Sequence, residues 1–320
     1  MIRTELTAAG IEDPGLRDAY RRCRTLNAVH GRTFFLATRL LAPDQRPPIH
    51  ALYGFARYAD DILDDFDPAL NTPTRAARLQ ELSDQFFSAE EHPASPVLAA
   101  VRHTARRYAI GDDLFDDFLN SMRMDLTITD YPDRPALNLY MKGSAEAIGL
   151  QVLPILGTVG PADEASPHAA ALGRAFQLTN FLRDIDEDLM RQRVYLPADE
   201  LAVHGVDRDM LMWCHHNRRT DHRVRNALAE QHDVARQVYR YAADGVAMLE
   251  PRSRPCVATA LTLYSEILDR IEDSDFAVFN QRAIVSTRRR LRVASVGLLR
   301  SWRARLMNPA ASGDRKSGVP

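Results

Sequence analysis

The sequence predicts an all-α protein whose helices form a single domain over residues 1–307. Apolar residues recur at three- and four-residue spacing along almost the whole chain, which is the period of an amphipathic helix. Alternating runs of Val, Ile, Thr and aromatic residues, which would indicate strands, are scarce. The 320 residues, 45% of them hydrophobic, are enough to bury a sizeable core. The polar end, residues 308–320, contains Gly, Ser and Pro and is predicted to be a disordered tail.

The breaks between the periodic segments are turns or helix starts, and none is long enough to be a linker between domains. They fall at or beside prolines, as at Pro47-Pro48 and Gly160-Pro161. In order, the predicted helices are 14–25, 46–65, 73–88, 96–108, 114–125, 134–156, 166–191, 207–216, 218–249, 254–272 and 287–306.

Composition and charge exclude several classes of protein. The 41 Lys and Arg residues nearly balance the 43 Asp and Glu residues, and a net charge of -2 creates no field that would attract nucleic acid. Cys23, Cys214 and Cys256 share no CxxC spacing, which favours free thiols in a reducing cytosol. The longest apolar run, residues 147–159, is shorter than the roughly 20 residues of a membrane-spanning helix. Because the N-terminus also lacks an apolar export signal, we expect a cytoplasmic protein.

A first acidic stripe lies in the predicted helix 46–65. Tyr53, Arg57, Asp60 and Asp64 follow one another at steps of four, three and four residues, which places them on one face of the helix. Apolar neighbours flank this face, so the helix is predicted to be largely buried.

A second stripe lies in the predicted helix 166–191 and has the same character. Gln177, Asn180, Asp184 and Asp188 are spaced three, four and four residues apart, again with apolar neighbours. Carboxylates four residues apart repel each other, and burying them is costly unless a cation compensates. Ligands that are all oxygen atoms favour Mg²⁺. The two stripes together therefore predict a magnesium site.

The alternative interpretation is that such runs are solvated acidic faces of surface helices, which is the usual meaning of a single run. A second, matched stripe favours a site instead. Residues 111–117 have carboxylates at the same spacing but no nearby stripe of Tyr, Arg, Asn or Gln, so we interpret them as surface charge. Asp61 and Asp65, which lie roughly 100° around the helix from the first stripe, are interpreted as structural or as support for the ligands.

These residues and their surroundings resemble the squalene/phytoene synthases, a family of all-helical isoprenoid synthases. The similarity spans about residues 16–290 and is most specific in residues 172–188 and in Arg193-Val-Tyr-Leu-Pro. Within the family, His30-Gly-Arg-Thr and Gly143-Ser-Ala are most similar to bacterial phytoene synthases of the actinobacterial type. The other matching segments are 30–41, 51–64, 124–126, 140–149, 264–268 and 282–286.

The resemblance implies an isoprenoid synthase helical bundle around a central apolar cavity, and a head-to-head condensation of two prenyl diphosphates. Two geranylgeranyl diphosphates would give phytoene through a cyclopropyl (prephytoene) diphosphate, with release of diphosphate, in carotenoid biosynthesis. That product needs no nicotinamide, because its last step is loss of a proton. The alternatives are a squalene, dehydrosqualene or presqualene diphosphate synthase acting on farnesyl diphosphate, and an inactive family member serving as an assembly subunit.

The resemblance also implies roles for individual residues. The expected ligands of Mg²⁺, for which Mn²⁺ could substitute, are Asp60, Asp64, Asn180, Asp184 and Asp188. The four aspartates, with Arg57 and Tyr53, are the expected catalytic residues. Substrate binding is expected at His30, Gly31, Arg32, Thr33, Tyr53, Arg57, Gln177, Arg183, Tyr195, Tyr264 and Arg282. For Arg57 and Arg183 the alternative is a salt bridge to a neighbouring Asp, and for a single His or Tyr it is an ordinary structural position.

Two positions depart from the family pattern. Gly31 stands where many relatives carry Ser, and Glu146 stands where a small residue is usual. Glu146 either points into the cavity or has a harmless placement on the outside. The second is favoured, because an exposed Glu is the norm.

The prenyl tails would need an apolar tunnel, and a product this apolar would need a membrane. We therefore expect peripheral docking on a membrane face and transfer of product to downstream carotenoid enzymes. The Arg-rich predicted helix 287–306 is the candidate docking surface, with an ordinary terminal packing helix as the alternative. Candidates for the tunnel lining, with plain core packing as the alternative, are Phe34, Phe35, Leu36, Ile148, Leu150, Val152, Leu153 and Ile155.

Overall fold

The computed structural model describes residues 2–64, 71–89 and 95–307, and for Asp64, Leu299, Arg300 and residues 302–307 it describes the backbone alone. Within these ranges the chain is helical and contains no strand. The helices are α1 Ile2–Ala8, α2 Pro14–His30, α3 Arg32–Thr38, α4 Arg46–Asp64, α5 Thr72–Phe87, α6 Pro96–Tyr108, α7 Asp112–Met124, α8 Arg134–Met141, α9 Ala147–Leu156, α10 Ala162–Met190, α11 Ala198–Val203, α12 Arg208–Asn217, α13 His222–Asp244, α14 Arg254–Asp273 and α15 Thr287–Met307. A π-helical turn, Lys142–Glu146, joins α8 to α9, and a 3-10 turn, Gly245–Met248, follows α13.

The all-α prediction is confirmed, and local sequence signals explain where several helices begin. The Asp13 carboxylate accepts a hydrogen bond from the Leu16 amide at 2.7 Å, and Pro14 occupies the first position of α2. The short helices α1, α3 and α11 were not predicted, since a helix of two turns shows too little periodicity to recognise. Asp65 and the tail 308–320 lie outside the described residues.

The two helices that carry the acidic stripes bury their apolar faces in different parts of the core. In α4, Phe55 is 1% exposed and packs in a cluster with residues of α2, α6 and α7. In α10, Leu182 is 1% exposed and packs in a second cluster with α13 and α14. Each helix therefore has an apolar side fixed in the core, and its polar stripe is left for the space between them. The extent of the domain, residues 1–307, stays a prediction.

Two glycines allow α9 and α10 to approach each other closely. A Cβ atom added at Gly173 of α10 would lie 2.2 Å from the carbonyl oxygen of Ala145, and one added at Gly149 of α9 would lie 2.2 Å from the carbonyl oxygen of Ala169. Both obstacles are backbone atoms, which cannot rotate away as a side chain can. Glycine is therefore required at both positions by packing.

We expect Gly173→Ala to destabilise the protein although alanine is the better helix former. The clash with backbone should lower the free energy of unfolding by about 1–3 kcal/mol, more than the roughly 0.5–1 kcal/mol that alanine gains over glycine within a helix. Urea unfolding measures the difference. The control is Gly160→Ala, because an added Cβ there meets its nearest neighbour at 4.0 Å; equal stability of the two variants would contradict the packing argument.

Candidate active site

A polar cavity of about 830 Å³ lies between α4 and α10. Its wall also includes the end of α2, the start of α3, the coil after α10 and the coil before α15. Every predicted site residue whose side chain is described lines it, whereas the side chain of Asp64 is outside the described residues. The residues that line it are His30, Gly31, Arg32, Thr33, Tyr53, Arg57, Asp60, Gln177, Asn180, Arg183, Asp184, Asp188, Tyr195, Tyr264 and Arg282.

The stripe on α4 presents a phenol and a guanidinium to this cavity. Burial raises the pKa of Tyr53 to about 12, so its hydroxyl stays protonated and can donate a hydrogen bond. The Nη2 atom of Arg57 lies 2.5 Å from Oδ1 of Asp61, one turn further along the helix. Nε of Arg57 is buried and has no hydrogen-bond acceptor. Asp61 thus holds Arg57 in place while one of its N–H groups remains available.

The stripe on α10 has a carboxylate held by two arginines. Arg183 donates from Nε to Oδ1 of Asp184 at 2.8 Å and from Nη2 to Oδ2 at 2.5 Å. Arg282 donates from Nε to the same Oδ1 at 2.8 Å, and its Nη1 lies 3.3 Å from Glu187. Arg57 and Arg183 therefore each form a salt bridge to a neighbouring Asp, which was the alternative interpretation of these two residues. The contacts with Asp61 and Asp184 also orient the guanidinium groups of Arg57, Arg183 and Arg282 along the cavity wall.

Two further oxygen-bearing side chains of the α10 stripe are buried with incomplete compensation, since Arg191 and Arg193 offset the burial of Asp188 only in part. Burial, and to a lesser extent the negative charge of Asp184, raise the pKa of Asp188 to about 8. The Oδ1 atom of Asn180 is buried and accepts no hydrogen bond. Both features fit a hard cation that takes oxygen ligands. No three His, Cys, Asp or Glu side chains among the described residues are grouped closely enough to hold a metal by themselves, so amide, water or phosphate oxygens would have to complete the coordination.

Sequence reasoning missed a cluster around Asp125 at the same cavity. The Asp125 carboxylate accepts hydrogen bonds from the hydroxyls of Tyr140 at 2.8 Å and Tyr195 at 3.0 Å. Its backbone carbonyl accepts a hydrogen bond from Nη2 of Arg193 at 2.9 Å. Burial raises the pKa of both tyrosines, which therefore stay protonated. Asp125 and Arg193 belong to segments that resemble the family, and that was the signal available, but no helical spacing connects them.

An aromatic surface lies beside this cluster. The rings of Phe181 and Tyr195 are stacked with centroids 4.3 Å apart, and the ring of Tyr140 lies 5.4 Å from that of Tyr195. All three residues line the polar cavity. The faces of aromatic rings are electron-rich, so this wall can stabilise a positive charge without reacting with it.

An apolar cavity of about 330 Å³ adjoins the polar one. The two share Tyr53, Gln177, Asn180 and several smaller lining residues, so a ligand could extend from one into the other. Along α10 the lining runs from Ala165 to Asn180, which is about 22 Å of helix. Of the predicted tunnel residues, those that line it are Phe34, Ile148, Val152 and Leu153.

The other predicted tunnel residues do not line this cavity, and the prediction was wrong for Phe35, Leu36, Leu150 and Ile155. Phe35 is turned the other way and stacks on the ring of His50 with centroids 5.6 Å apart. Ile155 is 2% exposed within the core around α4. Hydrophobicity alone does not distinguish a residue that lines a cavity from one that fills the core.

The structure resolves the two departures from the family pattern. Glu146 accepts a hydrogen bond from Nε of Arg174 at 2.8 Å and lines neither cavity, so its placement is structural. A Cβ added at Gly31 would lie 2.4 Å from Oδ1 of Asn27 and 2.8 Å from the ring of Tyr53, so a side chain there would require these two side chains to shift. The acidic run at 111–117 is mostly exposed, as predicted for surface charge.

Comparison with known proteins agrees with this architecture. Residues 28–290 match the sequence profile of the family described as squalene/phytoene synthase. The chain belongs to the squalene/phytoene synthase family. It is 36% identical over 297 residues to the phytoene synthase of Arthrospira platensis, covering 89% of this chain and 94% of that protein. It is also 36% identical over 292 residues to the chloroplastic phytoene synthase 2 of Solanum lycopersicum, covering 89% and 92%.

Solved structures show the same fold. A dehydrosqualene synthase in complex with a ligand superimposes with a TM-score of 0.79 at 24% identity, covering 88% of this chain and 96% of that one. The isoprenoid synthase fold expected of a squalene/phytoene synthase is therefore confirmed. Similarity to the actinobacterial type of this family stays a prediction, as do the roles of the individual residues.

The raised pKa of Asp188 predicts how the stability of this squalene/phytoene synthase without metal depends on pH. From the ordinary value of 3.8 up to about 8, the unfolded chain has released this proton more fully than the folded chain. The free energy of unfolding therefore falls as pH rises through that window. In EDTA, Asp188→Asn should unfold at a higher temperature than the wild type at pH 8, by at least about 2 °C, and the difference should shrink towards pH 5.

Thermal unfolding followed by circular dichroism measures the unfolding temperatures of the wild type and the variant at pH 5 and at pH 8. Asp116→Asn, at an exposed position, serves as the control for loss of a carboxylate. A difference for Asp188→Asn that is the same at both pH values would show that its ionisation is not the cause.

Proposed function

We propose that the protein is a prenyltransferase that condenses two geranylgeranyl diphosphates head to head into phytoene, through prephytoene diphosphate. The observation that carries this proposal is the meeting of both stripes, on α4 and α10, at one polar cavity that continues into an apolar one. The polar cavity can bind a diphosphate, and the apolar cavity can bind a prenyl tail. Relatives named phytoene synthase, 36% identical over most of the chain, support this product.

In this proposal Mg²⁺ is held by the carboxylate and amide oxygens of the two stripes, and Mn²⁺, which prefers similar ligands, can replace it. The buried Oδ1 of Asn180, which accepts no hydrogen bond, and the incompletely compensated burial of Asp188 support this assignment. When bound, the ion neutralises negative charge on the diphosphate oxygens. The proposed ligands are Asp60, Asp64, Asn180, Asp184 and Asp188.

The arginines of the cavity bind the leaving group. Ionisation breaks the bond between the first prenyl carbon and oxygen, and both electrons stay on the diphosphate. Arg57, Arg183 and Arg282 can donate to its oxygens and keep their charge at any physiological pH. Their existing contacts with Asp61 and Asp184 limit the reorganisation needed when the diphosphate binds. Further substrate contacts are proposed for His30, Gly31, Arg32, Thr33, Tyr53, Gln177, Tyr195 and Tyr264.

The allylic cation left behind must react with the second prenyl double bond and not with water. The aromatic surface of Tyr140, Phe181 and Tyr195 can stabilise the cation, while the apolar cavity holds the tail and excludes water. Attack on that double bond followed by loss of a proton closes the cyclopropane. A second ionisation breaks the remaining carbon–oxygen bond and leaves both electrons on the second diphosphate. The ring then opens, and loss of a second proton ends the sequence. This route uses no nicotinamide.

Two alternative functions differ from this proposal in their substrate or in lacking activity. A squalene, dehydrosqualene or presqualene diphosphate synthase would use farnesyl diphosphate, and a solved structure similar in fold is described as a dehydrosqualene synthase. An inactive assembly subunit is disfavoured because every stripe residue whose side chain is described, on both helices, lines the cavity. The test is to incubate the purified protein with Mg²⁺ and either farnesyl or geranylgeranyl diphosphate, with and without NADPH, and to identify the hydrocarbon. Phytoene formed without NADPH supports the proposal, whereas a C30 product or none contradicts it.

We expect Asp60→Ala and Asp184→Asn to reduce kcat/KM by at least about 100-fold, because each removes charge from the proposed ion site. Both proteins should remain folded, because Asp60 lies at the cavity wall and the amide that replaces the Asp184 carboxylate keeps an oxygen that can accept from Arg183 and Arg282. Steady-state turnover measures the loss of kcat/KM, and circular dichroism shows whether each variant is folded. Asp116→Ala, in the exposed acidic run, is the matched control; activity of the site variants equal to that control would exclude the proposed ion site.

The proposal includes docking of α15 on a membrane that receives the product and from which downstream carotenoid enzymes take it. The inner face of α15 packs on the protein, with Ser301 donating to the carbonyl of Leu40 at 2.7 Å. Its outer face exposes Arg288, Leu291 and Leu298, the two leucines by 58% and 55%. This face suits anionic lipid headgroups. None of the described helices is long and apolar enough to span a bilayer.

We expect Arg288→Glu combined with Leu291→Ser to reduce co-sedimentation with phosphatidylglycerol vesicles severalfold, since both the charge attraction and the apolar contact are weakened. Phosphatidylcholine vesicles provide the control for charge. Unchanged co-sedimentation with the anionic vesicles would remove the docking proposal.

A further inference from the structure

The coil between α14 and α15 and the first turn of α15 close one side of the polar cavity. Arg282, in that coil, is bound to Asp184 across the cavity wall, and the three residues that follow it also line the cavity. One turn into the region of α15, Arg290 lines the same cavity. The predicted basic helix therefore does not direct all of its arginines to the surface.

Arg289 and Arg290 are neighbours in sequence but have different surroundings. Arg289 binds the buried carboxylate of Glu266, with Nε 3.0 Å from both of its oxygens and Nη2 2.5 Å from Oε1. Among the described residues, Nη2 of Arg290 donates to the hydroxyl of Thr287, at 3.1 Å. Nε of Arg290 is buried and has no acceptor, and no carboxylate among the described residues pairs with this guanidinium.

The Arg290 side chain is partly exposed, but its buried Nε–H group has lost its water, and such a group is costly unless an acceptor arrives. The position of Arg290 increases this cost. It lies in the first turn of α15, which contains no acidic residue, and the helix dipole adds positive potential there. An anion in the cavity would both accept from Nε and offset the charge.

We infer that Arg290 is a diphosphate-binding residue, which makes the start of α15 part of the substrate site. The inference rests on the proposed function, since it assigns Arg290 to the diphosphate of a prenyl substrate. A guanidinium suits this role because its N–H groups form charge-assisted hydrogen bonds to phosphate oxygens.

The test is direct binding of inorganic diphosphate, in the presence of Mg²⁺, by isothermal titration calorimetry, together with KM for geranylgeranyl diphosphate. Arg290→Gln should weaken diphosphate binding about tenfold or more, the effect of losing a charged hydrogen bond, and raise KM similarly. Arg290→Lys keeps the charge but lacks Nε, so it should recover only part of the affinity. Circular dichroism should show unchanged folding, and the Lys variant keeps the test valid if the Gln variant does not fold.

Arg240→Gln, on the exposed side of α13, provides the same change of net charge away from the cavity and should bind diphosphate like the wild type. Wild-type affinity in Arg290→Gln, or an equal loss in Arg240→Gln, would overturn the inference. A wild type that binds diphosphate but converts no prenyl diphosphate would contradict the proposed function, and the calorimetry would still decide the role of Arg290. A wild type that binds no diphosphate would overturn both.

Discussion

The repulsion between two carboxylates one turn apart on a largely buried helix is the constraint on which the rest of this site depends. Asp184 and Asp188 project from α10, whose other faces are fixed in the core. Two arginines donate directly to the Asp184 carboxylate, whereas the positive charges of Arg191 and Arg193 offset the burial of Asp188 only in part. A buried charge cluster of this kind is costly to folding and is retained only where something brings positive charge. Arginines line the cavity around these carboxylates, and tyrosines that stay protonated add neutral donors between them.

The cavity system combines two environments that ordinarily exclude each other. Its polar part collects charged groups, and its apolar part is lined almost entirely by carbon atoms. Tyr53, Gln177 and Asn180 belong to both parts, and each has a polar end and an uncharged body. A substrate with a charged head and a hydrocarbon tail meets matching surroundings along its whole length. Glycines such as Gly149 and Gly173 bring the surrounding helices close enough to keep the apolar part narrow.

Helical periodicity was sufficient to predict the long helices and both stripes, because a residue's place on a helix face follows from its spacing alone. The lack of a nearby stripe of Tyr, Arg, Asn or Gln also predicted that the acidic run 111–117 is surface charge, and its residues are mostly exposed. Helical periodicity could not predict Asp125 and Arg193, which are 68 residues apart and meet through coil. Nor could it separate Phe34, which lines the cavity, from Phe35, which faces away. Arg290 was taken for surface charge because its neighbours in sequence are arginines, whereas its environment is set by α14 and the cavity. The surroundings of these residues depend on tertiary contacts, which cannot be predicted from helical spacing in a single sequence.

The π-helical turn at Lys142–Glu146 changes the phase between α8 and α9. Within it, the amide of Ala147 bonds to the carbonyl of Lys142, five residues back, so the turn holds one residue more than an α-helical turn. Tyr140, before the turn, faces the polar cavity, while Val152, after it, faces the apolar one. A regular helix through the same residues would rotate one group against the other by about 100°. One extra residue in this turn is thus enough to let the continuous helical segment from α8 to α9 line two chemically different cavities.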